Sequence, residues 1–233
     1  MRLKSLILIV IIAGLSLSYF KADQVYRYYL TVYYQKIEKL DEAAFTARIE
    51  NFYKEKNYTM LKRYCDHGNI LYPANKKIKK YNGLYLLSMG DVKGAFILIA
   101  LDEIPDDIEK LEKIITVLDD NASYKEVIMI VSKKGAKSVL IQYKYGKALY
   151  FTGSFKQALN LLQQVYARGI HESDFFIGEC YFTLNDYKNA LVWYKKALQR
   201  QPQNKQYIHR IAAVYKQLGD YPKATQYIMR LQQ

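Results

Sequence analysis

Three histidines, two cysteines and two pairs of adjacent aspartates are the residues of this chain whose types could do chemistry, and their spacing argues against it. His67, His171 and His209 each stand alone, with no two at a separation that lets a pair of imidazoles share a metal, and neither Cys65 nor Cys180 lies near enough to complete a zinc motif. Lys134-Gly135-Ala136-Lys137-Ser138 has part of the outline of a phosphate loop. It lacks the earlier glycine and the adjacent Gly-Lys pair that would cradle phosphates. No Gly-x-Ser-x-Gly elbow occurs. Asp106-Asp107 and Asp119-Asp120 read as helix starts and ends, where polar groups cap exposed amides and acids near an N-terminus are favoured by the helix dipole. The expectation is no enzyme, no cofactor and no metal.

The elements that carry these residues are organised around Gly178 to Pro202. Gly178 and Tyr181 are three apart on a first helix, and Ala190, Tyr194 and Ala197 follow at spacings of four and three on a second. Small residues let the helices approach, tyrosines fill the space beside them, and Pro202 closes the unit because proline cannot continue a helix. Asn185-Asp186-Tyr187-Lys188-Asn189-Ala190 recurs upstream as Gly153-Ser154-Phe155-Lys156-Gln157-Ala158 and downstream as Gly219-Asp220-Tyr221-Pro222-Lys223-Ala224. Copies 32 and 34 residues apart mark a repeat array.

Composition agrees. Of 233 residues 51% are hydrophobic and only four are proline, which fits an all-α fold whose helical pairs bury their apolar faces on one another. Tyrosine is over-used, at 24 residues, and most of these rings suit half-buried helix seams. Cys65 and Cys180 fall about three repeats apart, beyond disulfide reach, and read as buried small hydrophobes.

Along the chain, Arg2 and Lys4 precede a run without charge, Ser5 to Phe20. Sixteen helical residues cover about 24 Å, slightly under a bilayer core, and the flanking lysines could snorkel to the two interfaces. Two readings stand: a cleaved signal peptide with Ser16 and Ser18 before the cut, or an uncleaved anchor that keeps Arg2 and Lys4 in the cytoplasm and exports the rest. The anchor is favoured, since Ser16-Leu17-Ser18 is a poor cleavage site and no helix breaker follows Gly14. Residues 1–21 are thus anchor or signal, and 22–40 an aromatic-rich helical stalk packing on the first repeat. Residues 41–138 read as divergent helical repeats, one of them Ile108 to Leu118 with Tyr124 to Val131, and 139–233 as clear repeats. About six helical pairs follow the stalk.

Charge is uneven. Residues 101–126 hold nine acids and three bases, whereas 127–170 hold seven bases and no acid, an asymmetry that could join neighbouring repeats or orient a partner. The net charge of +13 raises nucleic acid as a partner, but the export segment and the lack of a basic-aromatic recognition motif argue against it.

Gly146 to Met229 closely resembles tetratricopeptide repeat proteins, and the resemblance weakens back to about Asp41. It implies an α-solenoid that binds other proteins in the groove lined by each first helix. Carried onto this chain, the groove positions are Tyr143, Lys147, Tyr150 and Phe151, then Phe175, Glu179 and Phe182, then His209, Lys216 and Gln217. Phe176 and Tyr143 depart from the asparagine and lysine of chaperone-binding members, so an apolar or amphipathic segment is the expected ligand. Two functions follow as expectations. The first is a single-pass scaffold of the bacterial inner membrane, its solenoid in the periplasm, joining components of an envelope machine of motility, secretion or outer-membrane assembly. The anchored tetratricopeptide proteins of the spirochaete flagellar collar share that architecture. The second is a soluble exported module that binds an anionic envelope polymer or small ligand through residues 127–170.

Overall fold

The computed structural model describes residues 19–231, all of whose regular structure is helical. Helix α1 (Tyr19–Thr31) runs into a π-helical turn, Val32–Ile37, and six helical pairs follow. They are α2 (Glu42–Lys54) with α3 (Tyr58–Leu71), α4 (Lys76–Ser88) with α5 (Val92–Ala100), α6 (Ile108–Asp120) with α7 (Tyr124–Lys134), α8 (Val139–Phe151) with α9 (Phe155–Ala167), α10 (Ser173–Thr183) with α11 (Tyr187–Arg200), and α12 (Lys205–Gln217) with α13 (Tyr221–Met229). The chain divides after Ile104 into two compact units, the first with α1 and two pairs, the second with four. The charge-free run at 5–20 lies almost wholly outside the described residues. Among those residues no helix is long and apolar enough to cross a membrane.

Each pair is written locally, in its turn. Lys56, Gly90, Ala122, Gly153, Asn185 and Gly219 occupy one position in the six turns, and all six have positive φ. The next residue, Asn57, Asp91, Ser123, Ser154, Asp186 or Asp220, is the N-cap of the second helix. Asn57, Asp91, Asp186 and Asp220 also accept a backbone N–H of the first turn, a bond that stabilises a helix by about 1 kcal/mol. The 106–137 segment, which lacks the small-residue signature, makes the same turn with Ala122 at φ 55°. A non-glycine there costs roughly 1 kcal/mol, so the geometry persists where its sequence mark has faded.

Small residues set how closely paired helices approach. A Cβ on Gly178 would stand 2.7 Å from the Tyr194 ring, and one on Gly146 would stand 2.7 Å from the Leu162 side chain, the same relation one repeat earlier. In the first unit α4 and α5 touch backbone to backbone, and a Cβ on Gly94 would lie 2.4 Å from the Gly83 carbonyl oxygen.

Each unit has its own core. In the first, Leu30, Tyr34 and Leu40 are buried with Phe45, Ile49, Leu61, Cys65 and Ile78, so the end of the aromatic segment packs on the repeats while Tyr26, Tyr28 and Tyr29 nearer its start stay exposed. Burying a side chain such as Phe45 or Ile49 stabilises by about 2 kcal/mol. In the second unit one cluster gathers Leu149, Ala158, Leu162, Ile177 and Cys180, and another Phe175, Ala190, Tyr194, Ile208 and Ile211. Both cysteines are free and buried, as their spacing predicts.

Candidate functional site

The first helices of the second unit form a wall, α6 against α8 and α8 against α10. Their buried faces carry apolar residues, and between the helices lie charged groups that pair with one another. Lys144 and Lys147, three apart on α8, put their Nζ atoms 2.7 and 2.8 Å from Oδ2 of Asp119 on α6. Asp119 is 5% exposed, and its Oδ1 is buried without a hydrogen bond among the described residues. Two ammonium groups on a single carboxylate offset the loss of hydration there.

One repeat on, Glu179 of α10 does the same work with other partners. Its carboxylate accepts from the Tyr150 hydroxyl of α8 at 2.9 Å, the Tyr194 hydroxyl of α11 at 2.6 Å and Arg210 Nη2 of α12 at 2.6 Å. Burial, with the Glu179 charge next, drives the Tyr150 and Tyr194 hydroxyls well above the ordinary tyrosine range, so both stay protonated donors. Asp174, at the start of α10, is paired with Arg200 of α11 and accepts from the Phe175 amide. Burial raises its pKa despite that arginine.

With these charges satisfied inside the unit, the wall presents rings. Phe151 is 49% exposed, stacked on Tyr124 at 4.4 Å and edge-on to Tyr150 and Phe176 at 5.1 and 5.8 Å. The Lys147 ammonium lies 5.5 Å from the Phe176 centroid and 5.9 Å from that of Tyr143. The Arg210 guanidinium lies 5.8 Å from Phe182, so it and Lys147 also face aromatic rings. Burial raises the Tyr143 hydroxyl far above its usual range, with Asp119 adding to it.

The structure therefore joins Tyr143, Lys147, Tyr150 and Phe151 of α8 with Glu179 of α10. Phe182 shares Arg210 with Glu179. Phe175 is not on the surface: it packs in the core on Tyr194 and stacks on Tyr207 at 5.0 Å, and its neighbour Phe176 takes the place beside Phe151. One residue turns a helix by about 100°, which is enough to exchange core for wall. Glu179 is 3% exposed, its carboxylate committed to its three donors. His209, Lys216 and Gln217 are exposed on α12. Sequence reasoning missed Asp119, Lys144 and Arg210, and noted Phe176 only as a departure from the chaperone-binding pattern. Asp119 does stand at the end of α6, and what its neighbours in sequence do not reveal is the pair of lysines 25 and 28 residues later on the next first helix.

The charge asymmetry resolves in the same way. Lys134 and Lys137 reach Asp106 at 3.1 and 3.5 Å, Lys144 and Lys147 reach Asp119, and Arg168 donates to Gln142. Asp107 caps α6 by accepting the Lys110 amide. Four of the seven bases of 127–170 thus pair with acids of the stretch before it. Among the described residues no group of three or more His, Cys, Asp or Glu is placed to hold a metal ion.

Comparison with known proteins supports the architecture. The model described as "Tetratricopeptide repeat" matches residues 175–204, the segment of α10 and α11. No curated protein matches in sequence. Among solved structures, MamA from Desulfovibrio magneticus RS-1 is similar at a TM-score of 0.55 and 18% identity, covering 66% of this chain and 92% of that one. A second MamA crystal structure gives 0.52 and 18%, covering 66% and 88%. PilF of Pseudomonas aeruginosa gives 0.50 and 13%, covering 82% and 90%. At these identities the likeness is one of fold: the described residues have a tetratricopeptide-like helical fold, with a recognisable repeat at residues 175–204.

Proposed function

We propose that this chain is a protein-binding scaffold that holds an apolar or amphipathic segment of a partner on the ring-lined wall of α8 and α10. The support is one observation: Phe151 stands half exposed among Tyr124, Tyr150 and Phe176, while the charges beside it are already paired within the unit. Aromatic side chains in such a setting carry most of the energy of protein interfaces, and internally neutralised charges leave little for a polyanion to grip. The tetratricopeptide fold accords with a role in protein association.

In this reading the run from Ser5 to Phe20 is a single membrane span of a bacterial inner membrane. Arg2 and Lys4 lie in the cytoplasm and the helical pairs in the periplasm, where the scaffold joins components of a motility, secretion or outer-membrane assembly machine. The arrangement rests on the charge pattern of the N-terminus. The test is site-specific photo-crosslinking in native membranes, with a photoreactive residue at position 151 or, as control, at the exposed Gln199 of α11, and the N-terminal peptide mapped in the same run. An envelope protein crosslinked from 151 but not 199, in salt as well as without it, with Met1 intact, is the expected result. Equal crosslinking from both sites would refute the wall as the binding surface. A chain processed near Tyr19 would refute the anchor and turn attention to a soluble exported module.

A further inference from the structure

His67 of α3 takes no part in the wall, yet its ring is held on both nitrogens. Nδ1 lies 2.6 Å from the Tyr34 hydroxyl and Nε2 lies 3.2 Å from that of Tyr26. Both tyrosine rings also pack on the imidazole, with centroids 5.6 and 6.3 Å away. Tyr26 belongs to α1 and Tyr34 to the π-helical turn, so one side chain of the first repeat pair grips the N-terminal helical segment at two points. Its end is also anchored by the buried Leu30, Tyr34 and Leu40, but its start is loosely held, with Ala22 to Gln24 and Arg27 to Tyr29 exposed.

The two hydroxyls differ, and the difference selects the tautomer. Tyr34 is 1% exposed, so its proton cannot go to water and is satisfied only if Nδ1 accepts it. Nε2 then carries the ring hydrogen and donates to Tyr26, whose own proton reaches solvent because that residue is 43% exposed. Neutral imidazole thus satisfies every group. Imidazolium does not: once Nδ1 is protonated it is a donor, Tyr34 must rotate to accept from it, and the buried Tyr34 proton is left without an acceptor.

We propose that His67 is a proton-operated latch, holding α1 on the first repeat pair when neutral and releasing it when protonated. The charged groups acting on the ring are Arg63, which opposes protonation, and Asp66, which favours it; among the described side chains of α1 and the π-helical turn, the two hydroxyls meet it. Burial is the larger influence and, with Arg63, holds the histidine below its ordinary value, while Tyr34 is pushed up to about 12 and stays protonated. The sign follows. A histidine whose folded-state pKa is lowered leaves the latch at full strength above the unfolded-state value of about 6.5, and weakens it as pH falls through that value to the folded one.

The test is hydrogen exchange read by mass spectrometry on the full-length protein at about pH 7.5 and about pH 5, with rates corrected for intrinsic exchange. Protection of the α1 amides should drop on the order of tenfold at the lower pH while that of α10 does not. His67→Gln keeps a donor and an acceptor without titrating, so its α1 protection should be the same at both values. His67→Asn, shorter but equally unable to titrate, should show the same lack of pH dependence, which covers a failure of the glutamine variant to fold. Unchanged α1 protection in the parent protein, or an equal drop in either variant, would overturn the latch.

Discussion

In the first unit, α2 and α4 border an open hollow of about 440 Å³, floored by the exposed Ala43 and Ala47 and edged by Glu42, Glu50, Asn75 and Lys77. In the second, the corresponding helices α8 and α10 meet across Tyr150, Phe151 and Phe176, with their carboxylates and cations paired between helices. The same helical pair, closed by the same turn, therefore carries two unlike walls. Core positions and turns are fixed by how two helices must meet, whereas the first-helix residues that face away from the core can change without disturbing the pair. The interior differs in the same direction: the first unit is held by rings and close backbone contact, the second also by buried ions.

That comparison can be broken at its strongest point by Gly94→Ala. The added methyl meets backbone 2.4 Å away, which cannot rotate aside, so the first unit should lose about 3 kcal/mol, seen as raised hydrogen exchange up to Ile104. Gly178→Ala, whose methyl meets a tyrosine ring, should cost less. Removing a buried ion comes next. Glu179→Gln strands Arg210 and weakens two tyrosine bonds, and a loss of roughly 2 kcal/mol in urea unfolding is expected, moderated because Arg210 is 35% exposed. The cycle with Arg210→Gln should return a coupling on the order of 1 kcal/mol; additive effects would mean the ion pair does not hold α10 to α12.

Phe151→Ala separates binding from folding. Half of the ring is already in water, so stability should fall by less than about 1 kcal/mol while affinity for the crosslinked partner drops on the order of tenfold. A large stability loss with affinity unchanged would make the residue structural. The smallest effect belongs to Asp106. Lys134 and Lys137 hold its carboxyl below the usual range, so its contribution is present above the unfolded carboxylate value and fades as pH falls through the folded one. Asp106→Asn should remove that slight acid sensitivity, and salt should mask it, as a circular dichroism melt series would register.

Much of the fold was legible because its signals are local. The positive-φ turn residue and the polar cap after it lie within a few residues of one another, and the six second helices start where that pattern sets them, from Tyr58 to Tyr221. Ala122 and Lys56 were harder to read, since neither is a residue that advertises a left-handed turn. On α8 the resemblance to tetratricopeptide repeats already implied Tyr143, Lys147, Tyr150 and Phe151, and on α10 it implied Glu179 and Phe182. The choice between Phe175 and Phe176 was not legible, because both are phenylalanine and only packing on Tyr194 and Tyr207 puts the first of them inside.

The sequence by itself determined the helical pairs with their turns and caps, because each depends on residues within about a turn of one another, and their period, because the same turn recurs along the chain. The tertiary structure decided which side chains meet one repeat or more away: Asp119 with Lys144 and Lys147, Glu179 with Tyr150 and Arg210, Tyr34 with His67. Those partners lie 25 to 33 residues apart. Whether they touch depends on how far each helical pair is rotated against the next, a quantity set by the summed packing of a whole interface rather than by any short stretch of chain.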